Sequence, residues 1–304
     1  MEKLFGGIEA GGTKFLCAVG DASGAILDTA MILTTTPKAT LDRAIEFFKD
    51  IHDRTPLAAI GVASFGPVDL DPRSPYFGFI TTPPKPGWAD CDIRGPISRA
   101  LGIPVGFDTD VNAAALGEHR WGAARGLDTF LYLTVGTGIG AGALARGEPM
   151  HGLLHPEMGH MFVPHDAEED AFAGVCPFHG DCLEGLASGP ALERRWGVLR
   201  ASELPDRHPA WELEARYLGY ACANLTMMLS PERIILGGGV SRKKGLLPLV
   251  RAKTREFLNG YIRHERILES TDQFIVEPGL GDRSGILGAL NLAERALLGR
   301  ETSP

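Results

Sequence analysis

No stretch of this sequence approaches the roughly eighteen consecutive apolar residues a helix needs to cross a bilayer, so no membrane span is expected. The N-terminus, MEKLFGGIEA, lacks the basic stretch and apolar run of a secretory signal. Basic residues are also in short supply: 30 Lys and Arg against 38 Asp and Glu give a formal net charge of −8. With no basic surplus to release counterions from phosphates, nucleic acid is not an expected partner. Cysteine is scarce and odd in number, and of the five, Cys17, Cys91 and Cys222 stand alone. That pattern argues against a disulfide framework and points to reduced thiols in a cytoplasmic protein.

Glycine, by contrast, is abundant, with 39 residues gathered into a few turns, and 44% of the chain is hydrophobic. That suffices for one large core or two moderate ones. The opening LFGGIEAGGTKFLCAVGDASGAILDTAMIL reads as strand, glycine turn, strand, turn, strand. A helix fits TLDRAIEFFKDIHDR, where Leu41, Ile45, Phe48 and Ile51 fall near helical spacing. LAAIGVASFGPVDL reads as a buried strand, DIRGPISRALG as a short helix, IPVGFD as a strand and DVNAAALGEHRWGAA as a helix. At residue 129 the opening pattern returns in TFLYLTVGTGIGAGALARGEPMHG, which suggests two related lobes. Beyond about residue 185 the chain reads as mostly helical, interrupted by RIILGGGVS and FIVEPGLGDRSGILGAL. The expectation is α/β, two lobes, with mixed sheets covered by helices.

EAGGTK (9–14) and GTGIG (136–140) each offer backbone N–H groups and a threonine hydroxyl at a strand end, a geometry suited to phosphate. Neither is a P-loop, and GTGIGAG leads into a strand rather than a helix, which disfavours a dinucleotide fold. Gly237-Gly238-Gly239 would let a flat ring such as adenine approach the backbone. Three such turns favour a nucleotide ligand.

Cys176-x-x-His179-x-x-Cys182 supplies three soft ligands from one loop at zinc-site spacing. By distance along the chain, His151, His155, His160 and His165 all qualify as the fourth.

GGIEAGGTK, FDTDVNAAALGE, LTVGTGIGAG, PEMGH, the Cys/His loop running into LEGLASGP, and IILGGGVS follow the order of motifs in the ROK family of bacterial repressors and sugar kinases. The match runs from about residue 4 to 291, and the sequence resembles most the family's zinc-containing fructokinases. The resemblance implies a two-lobed actin-like, hexokinase-like (ribonuclease H-like) ATPase fold with mixed sheets and an interlobe cleft. Residues 1–118 would form the small lobe, with a C-terminal helix at about 285–304 packing back on it, and 119–304 the large lobe with the zinc loop. It implies ATP- and Mg²⁺-dependent phosphorylation of a hexose, foremost D-fructose to D-fructose 6-phosphate, by a homodimer. Glucose, mannose or N-acetylhexosamine kinases of the family are the nearest alternative. A sugar-responsive regulator is disfavoured, since only about three residues precede the first strand.

Carried over residue by residue, Asp110 is the general base, although an Asp between strand and helix also suits an N-cap. Thr109, Asp110, Glu157, His160 and Glu184 would contact the sugar. Gly11, Gly12, Thr13, Lys14, Gly136, Thr137, Gly138, Pro190, Gly237, Gly238 and Gly239 would hold ATP. Many relatives have Asn where this chain has Thr109, and most have Asp where it has Glu9. The family pattern selects His160 to complete a closed His160/Cys176/His179/Cys182 zinc set, which has no open position for water and is therefore structural. His179 stands where many members have a third cysteine. Because the glycine turns lie elsewhere in the chain, loss of the metal is expected to affect sugar more than ATP.

Overall fold

The computed structural model describes residues 3–83 and 85–299. Side-chain alternation over the first segment builds three antiparallel strands, β1 (Leu4–Ala10), β2 (Lys14–Asp21) and β3 (Ile26–Leu33). The helix α1 (Pro37–His52) starts at the N-cap Thr36, whose hydroxyl accepts from Ala39 N–H, with Pro37 at the first helical turn. β4 (Leu57–Ser64) then pairs in parallel with β1. A hairpin of two-residue strands, β5 (Phe79–Ile80) and β6 (Cys91–Asp92), precedes α2 (Arg94–Leu101), β7 (Val105–Thr109) and α3 (Asp110–Trp121). The resulting sheet has the order β3-β2-β1-β4-β7.

Its two faces have different partners. Ile8 and Phe15 point toward α1 and α2, joining Leu41, Phe48 and Ile97 in one core. Phe5 and Ala59 point the other way, onto the last helix, α10 (Ser284–Leu297), through Leu287 and Leu290. That helix lies close because β1, β2, β4 and β7 each contribute a glycine beneath it. A Cβ on Gly61 would run into the Ala289 carbonyl, and one on Gly106 into that of Leu292; Gly7 and Gly20 face Leu290. The expected C-terminal helix thus ends at Leu297, and residues 300–304 lie outside the described residues.

A second sheet repeats the connectivity of the first. β8 (Phe130–Val135) and β9 (Ile139–Ala145) form an antiparallel hairpin edged by the short β10 (Glu148–Pro149). After an irregular stretch come α4 (Leu183–Ala187), α5 (Gly189–Trp196) and α6 (Ala210–Leu229). β11 (Ile234–Gly237) adds in parallel to β8. Then follow α7 (Leu246–Leu258), α8 (Glu265–Leu268), α9 (Thr271–Phe274) and β12 (Ile275–Val276), the last parallel to β11. The order β10-β9-β8-β11-β12 matches β3-β2-β1-β4-β7 position for position. The recurrence read in the sequence at residue 129 is therefore a recurrence of topology, in an α/β fold with two mixed sheets.

Contacts divide the chain into two units. The first holds the residues up to Gly126, Pro149–Pro156 and those from Gly279 onward; the second holds Leu127–Glu148 and Glu157–Pro278. Among the described residues, no helix is long and apolar enough to cross a membrane.

Candidate active site and metal centre

In the second unit, the loop from Glu157 to Cys182 gathers the soft ligands. Gly180 adopts φ +67°, which lets the chain reverse so that Cys176 and Gly180 exchange backbone hydrogen bonds of 3.2 and 3.0 Å. The reversal brings His179 beside Cys176, and Cys182 follows at the start of α4. Ligand atoms of His160, Cys176, His179 and Cys182 all lie within 4.8 Å of one another. Cys176 Sγ is 3.7 Å from His160 Nδ1 and 3.6 Å from His179 Nδ1, and Cys182 Sγ is 3.5 Å from His160 Nδ1. Zn–S and Zn–N bonds of about 2.3 and 2.0 Å at the tetrahedral angle set S and N about 3.5 Å apart. The donor set fits zinc in both chemistry and spacing.

The three other candidates for the fourth ligand are engaged elsewhere. His155 Nε2 accepts from Val68 N–H at 3.1 Å, and burial holds its pKa down. His165 lies 3.0 Å from an Asp181 carboxylate oxygen and 2.9 Å from the Asp170 carbonyl. His151 belongs to the first unit, where Nε2 sits 3.0 Å from Asp108 Oδ2.

The first unit carries Asp110. The N-cap of α3 is Thr109 rather than Asp110: its hydroxyl oxygen accepts from Asn112 N–H at 3.1 Å, and the residue is only 3% exposed. Asp110 is the first residue of the helix, and its Oδ1 accepts from Val111 N–H at 2.9 Å. An acidic group there also meets the positive end of the helix dipole. Beneath it, Asp108 is buried and accepts from Thr109 N–H (2.7 Å) and the Asn112 side-chain amide (2.8 Å) as well as facing His151. Burial opposes a charge on His151, but the hydrogen bond and charge of Asp108 outweigh it and hold its pKa above the ordinary value. This pair escaped the sequence reading, since 43 residues separate its members and no motif links them.

Glu9 is the penultimate residue of β1, beside the first glycine turn. Its carboxylate occupies the space a Cβ on Gly285 would take, at the start of α10. Burial, and then the charge of Asp110, push its pKa up to about 7, against a smaller opposing pull from Lys14. A cation at this carboxylate pair would relieve both penalties, and hard oxygen donors suit Mg²⁺. The turn itself is closed by Gly11 N–H donating to the Lys14 carbonyl (3.0 Å), and Thr34 donates its hydroxyl to the Gly11 carbonyl (2.7 Å). A Cβ on Gly12 would meet nothing within 4 Å, so that backbone is open to a ligand.

The two other glycine turns and the start of α5 meet within the second unit. Gly136 N–H donates to the Gly138 carbonyl at 2.9 Å, closing the turn around Thr137. Gly189 N–H, next to Pro190 in the first turn of α5, donates to the Gly136 carbonyl at 2.7 Å. Val240 N–H donates to the Val135 carbonyl at 3.0 Å, and Gly238, at φ +91°, presses so close to Val135 that no side chain fits. Gly239 faces open space, while a Cβ on Gly237 would strike the Tyr132 hydroxyl.

Glu157 and Glu184 share one environment. Burial, then the charge of Glu184, raises Glu157 to about 7. Glu184 Oε1 is 3.9 Å from His160 Nε2, and its other oxygen accepts from Ile139 N–H at 2.9 Å. The second contact brings Glu184 against the β8–β9 turn, from which the metal loop is distant in sequence.

Comparison with known proteins agrees with this architecture. The chain is 45% identical over 295 residues to a fructokinase of Zymomonas mobilis, covering 96% of this chain and 97% of that one. Among solved structures, a ROK hexokinase from Thermus thermophilus superposes with a TM-score of 0.79 at 29% identity, covering 98% of this chain and all of that one. A ROK glucokinase from Streptomyces griseus, in complex with glucose and AMPPNP, superposes at 0.75 with 26% identity, covering 96% and 99%. The fold is that of the hexokinase-like sugar kinases. The pattern of the ROK family matches residues 5–296, and the chain belongs to the ROK family.

Proposed function

We propose that this protein is a fructokinase, transferring the γ-phosphoryl group of ATP to the 6-hydroxyl of D-fructose. The observation that carries this reading is 45% identity to a fructokinase over nearly the whole chain. In the mechanism, the carboxylate of Asp110 accepts the proton of the 6-hydroxyl as that oxygen bonds to the γ-phosphorus. The bond from the phosphorus to the β–γ bridging oxygen breaks, and ADP leaves. Asp110 Oδ1 is held at the start of α3 by the Val111 N–H. Glu157, His160 and Glu184 orient sugar hydroxyls, because carboxylates accept two such bonds in fixed geometry. Gly11 to Lys14 and Gly136 to Gly138 offer N–H groups and hydroxyls to phosphate. Pro190 and Gly237 to Gly239 shape the remaining nucleotide contacts.

Glu9 and Asp110 are the carboxylates that would face Mg²⁺ bound with ATP, an ion that would neutralise charge on the phosphates. His160, Cys176, His179 and Cys182 would hold zinc as a closed, structural site that fixes the sugar-contacting loop. Thr109 supports fructose over glucose: its hydroxyl oxygen is committed to capping α3, so it offers one donor where relatives with Asn offer an amide. Assembly as a homodimer and a cytoplasmic location belong to the same reading, on the strength of family membership.

The deciding experiment is a coupled ADP-release assay across fructose, glucose, mannose and N-acetylmannosamine. Turnover with fructose is the expected result. No turnover with any of the four would end the kinase reading, and a better rate with glucose would end only the fructose assignment.

A further inference from the structure

The turn Gly136 to Ile139 is held from two sides by residues that adjoin metal ligands. On one side, Glu184, two residues after Cys182, accepts from Ile139 N–H at 2.9 Å. Its carboxylate fills the space a Cβ on Gly138 would need, 2.7 Å away. On the other side, Gly159, immediately before His160, packs so tightly on the Ile139 carbonyl that any Cβ there would collide with it. A third tie, Gly189 N–H to the Gly136 carbonyl at 2.7 Å, leaves from the helix pair that begins at Cys182.

From this geometry we infer that Glu184 is a positioning residue for the nucleotide, through which the metal centre sets the shape of the phosphate turn. Chelation fixes His160 and Cys182, hence Gly159 and Glu184, hence both the N–H and the carbonyl of Ile139. A turn whose N–H groups are pre-aimed binds phosphate without first having to order itself. Metal occupancy therefore reaches ATP directly and not only by way of the sugar. The inference rests on the kinase reading, in which Gly136 to Gly138 meet ATP.

The test is calorimetric titration of Mg-ATP into zinc-loaded protein with no sugar present, alongside metal analysis. Glu184→Ala should keep its zinc yet raise the Kd for ATP about tenfold, the usual effect of losing one charge-assisted hydrogen bond. Glu184→Gln should restore ATP affinity to within about threefold, because the amide oxygen still accepts from Ile139 N–H. Stripping zinc from the wild type should weaken ATP comparably, and stripping it from Glu184→Ala should add little further, as for members of one coupled unit. Should Glu184→Ala not fold, the comparison of zinc-loaded with zinc-stripped wild type carries the same expectation. Wild-type affinity for ATP in zinc-loaded Glu184→Ala, or in zinc-free wild type, overturns the inference. A wild type that binds no ATP would instead sink the kinase reading beneath it.

Discussion

Asp110 and Asp108 are two residues apart and do different work. Asp108 is 1% exposed and surrounded by donors, so its oxygens are spent on holding β7, α3 and His151 together. Asp110 is partly exposed at the first turn of α3 and, on the proposed reading, is the one that takes a proton. Asp110→Asn keeps the shape and the bond from Val111 N–H but removes the base. We expect kcat to fall by about 10²–10⁴-fold. Sugar and ATP affinities, read by titration, should stay within roughly an order of magnitude.

Glu9 gives a second residue-scale expectation, this time in stability. An acid whose pKa rises from 4.5 to about 7 on folding carries no penalty below pH 4.5. The penalty builds as the pH climbs, because the unfolded chain has released a proton the folded chain retains, and it is complete above pH 7. In nucleotide-free protein, Glu9→Gln should therefore exceed the wild type by no more than about 1 kcal/mol at pH 5 and by an amount on the order of 3 kcal/mol at pH 8. Urea melts at the two pH values check this; equal differences at both would show that Glu9 does not titrate in that range.

At the scale of elements, the hairpins were the most legible feature. Glycine turns flanked by short apolar runs mark β1–β2 and β8–β9, and α1 follows from its helical spacing. The β5–β6 hairpin was not legible, since two-residue strands leave no period to read. The Cys-x-x-His-x-x-Cys spacing announced a metal loop, but four histidines competed for the fourth place and only the family resemblance chose among them. Contacts that join distant segments, such as Glu184 to Ile139 or His151 to Asp108, leave no trace in local pattern.

Two predictions belong at this scale. Protein purified without added zinc should carry about one equivalent by metal analysis, since closed thiolate sites bind with apparent free energies of about 10 kcal/mol or more. Cys176→Ser and Cys182→Ser should lose it. The second concerns Glu118, buried near the end of α3, which accepts from Ala123 N–H, Gly279 N–H, Leu280 N–H and the Ser284 hydroxyl at 2.6 to 3.0 Å. It ties α3 to the start of α10. Glu118→Gln turns an amide NH₂ toward those donors, and denaturation should show a loss of about 2–3 kcal/mol.

At the scale of the whole molecule, two sheets of identical strand order frame the same kind of glycine turn, between β1 and β2 and between β8 and β9. The repeat was readable because both hairpins keep their glycines, although their sequences otherwise differ. The sugar preference is the property that neither repeat determines. Fructose should exceed glucose in kcat/KM by about one to two decades, the worth of one hydrogen bond to a buried hydroxyl.

The position of α10 has a consequence for how the chain is made. Synthesis runs from the N-terminus, and domains commonly fold in that order as they emerge from the ribosome. Here the glycine-lined face of β1, β2, β4 and β7 lacks the helix that packs closest on it until residues 284–297 have been translated. The second unit, Leu127–Glu148 with Glu157–Pro278, is complete before then. The part that begins first is therefore finished last, and for most of translation the nascent chain carries an open apolar sheet face that a chaperone could hold.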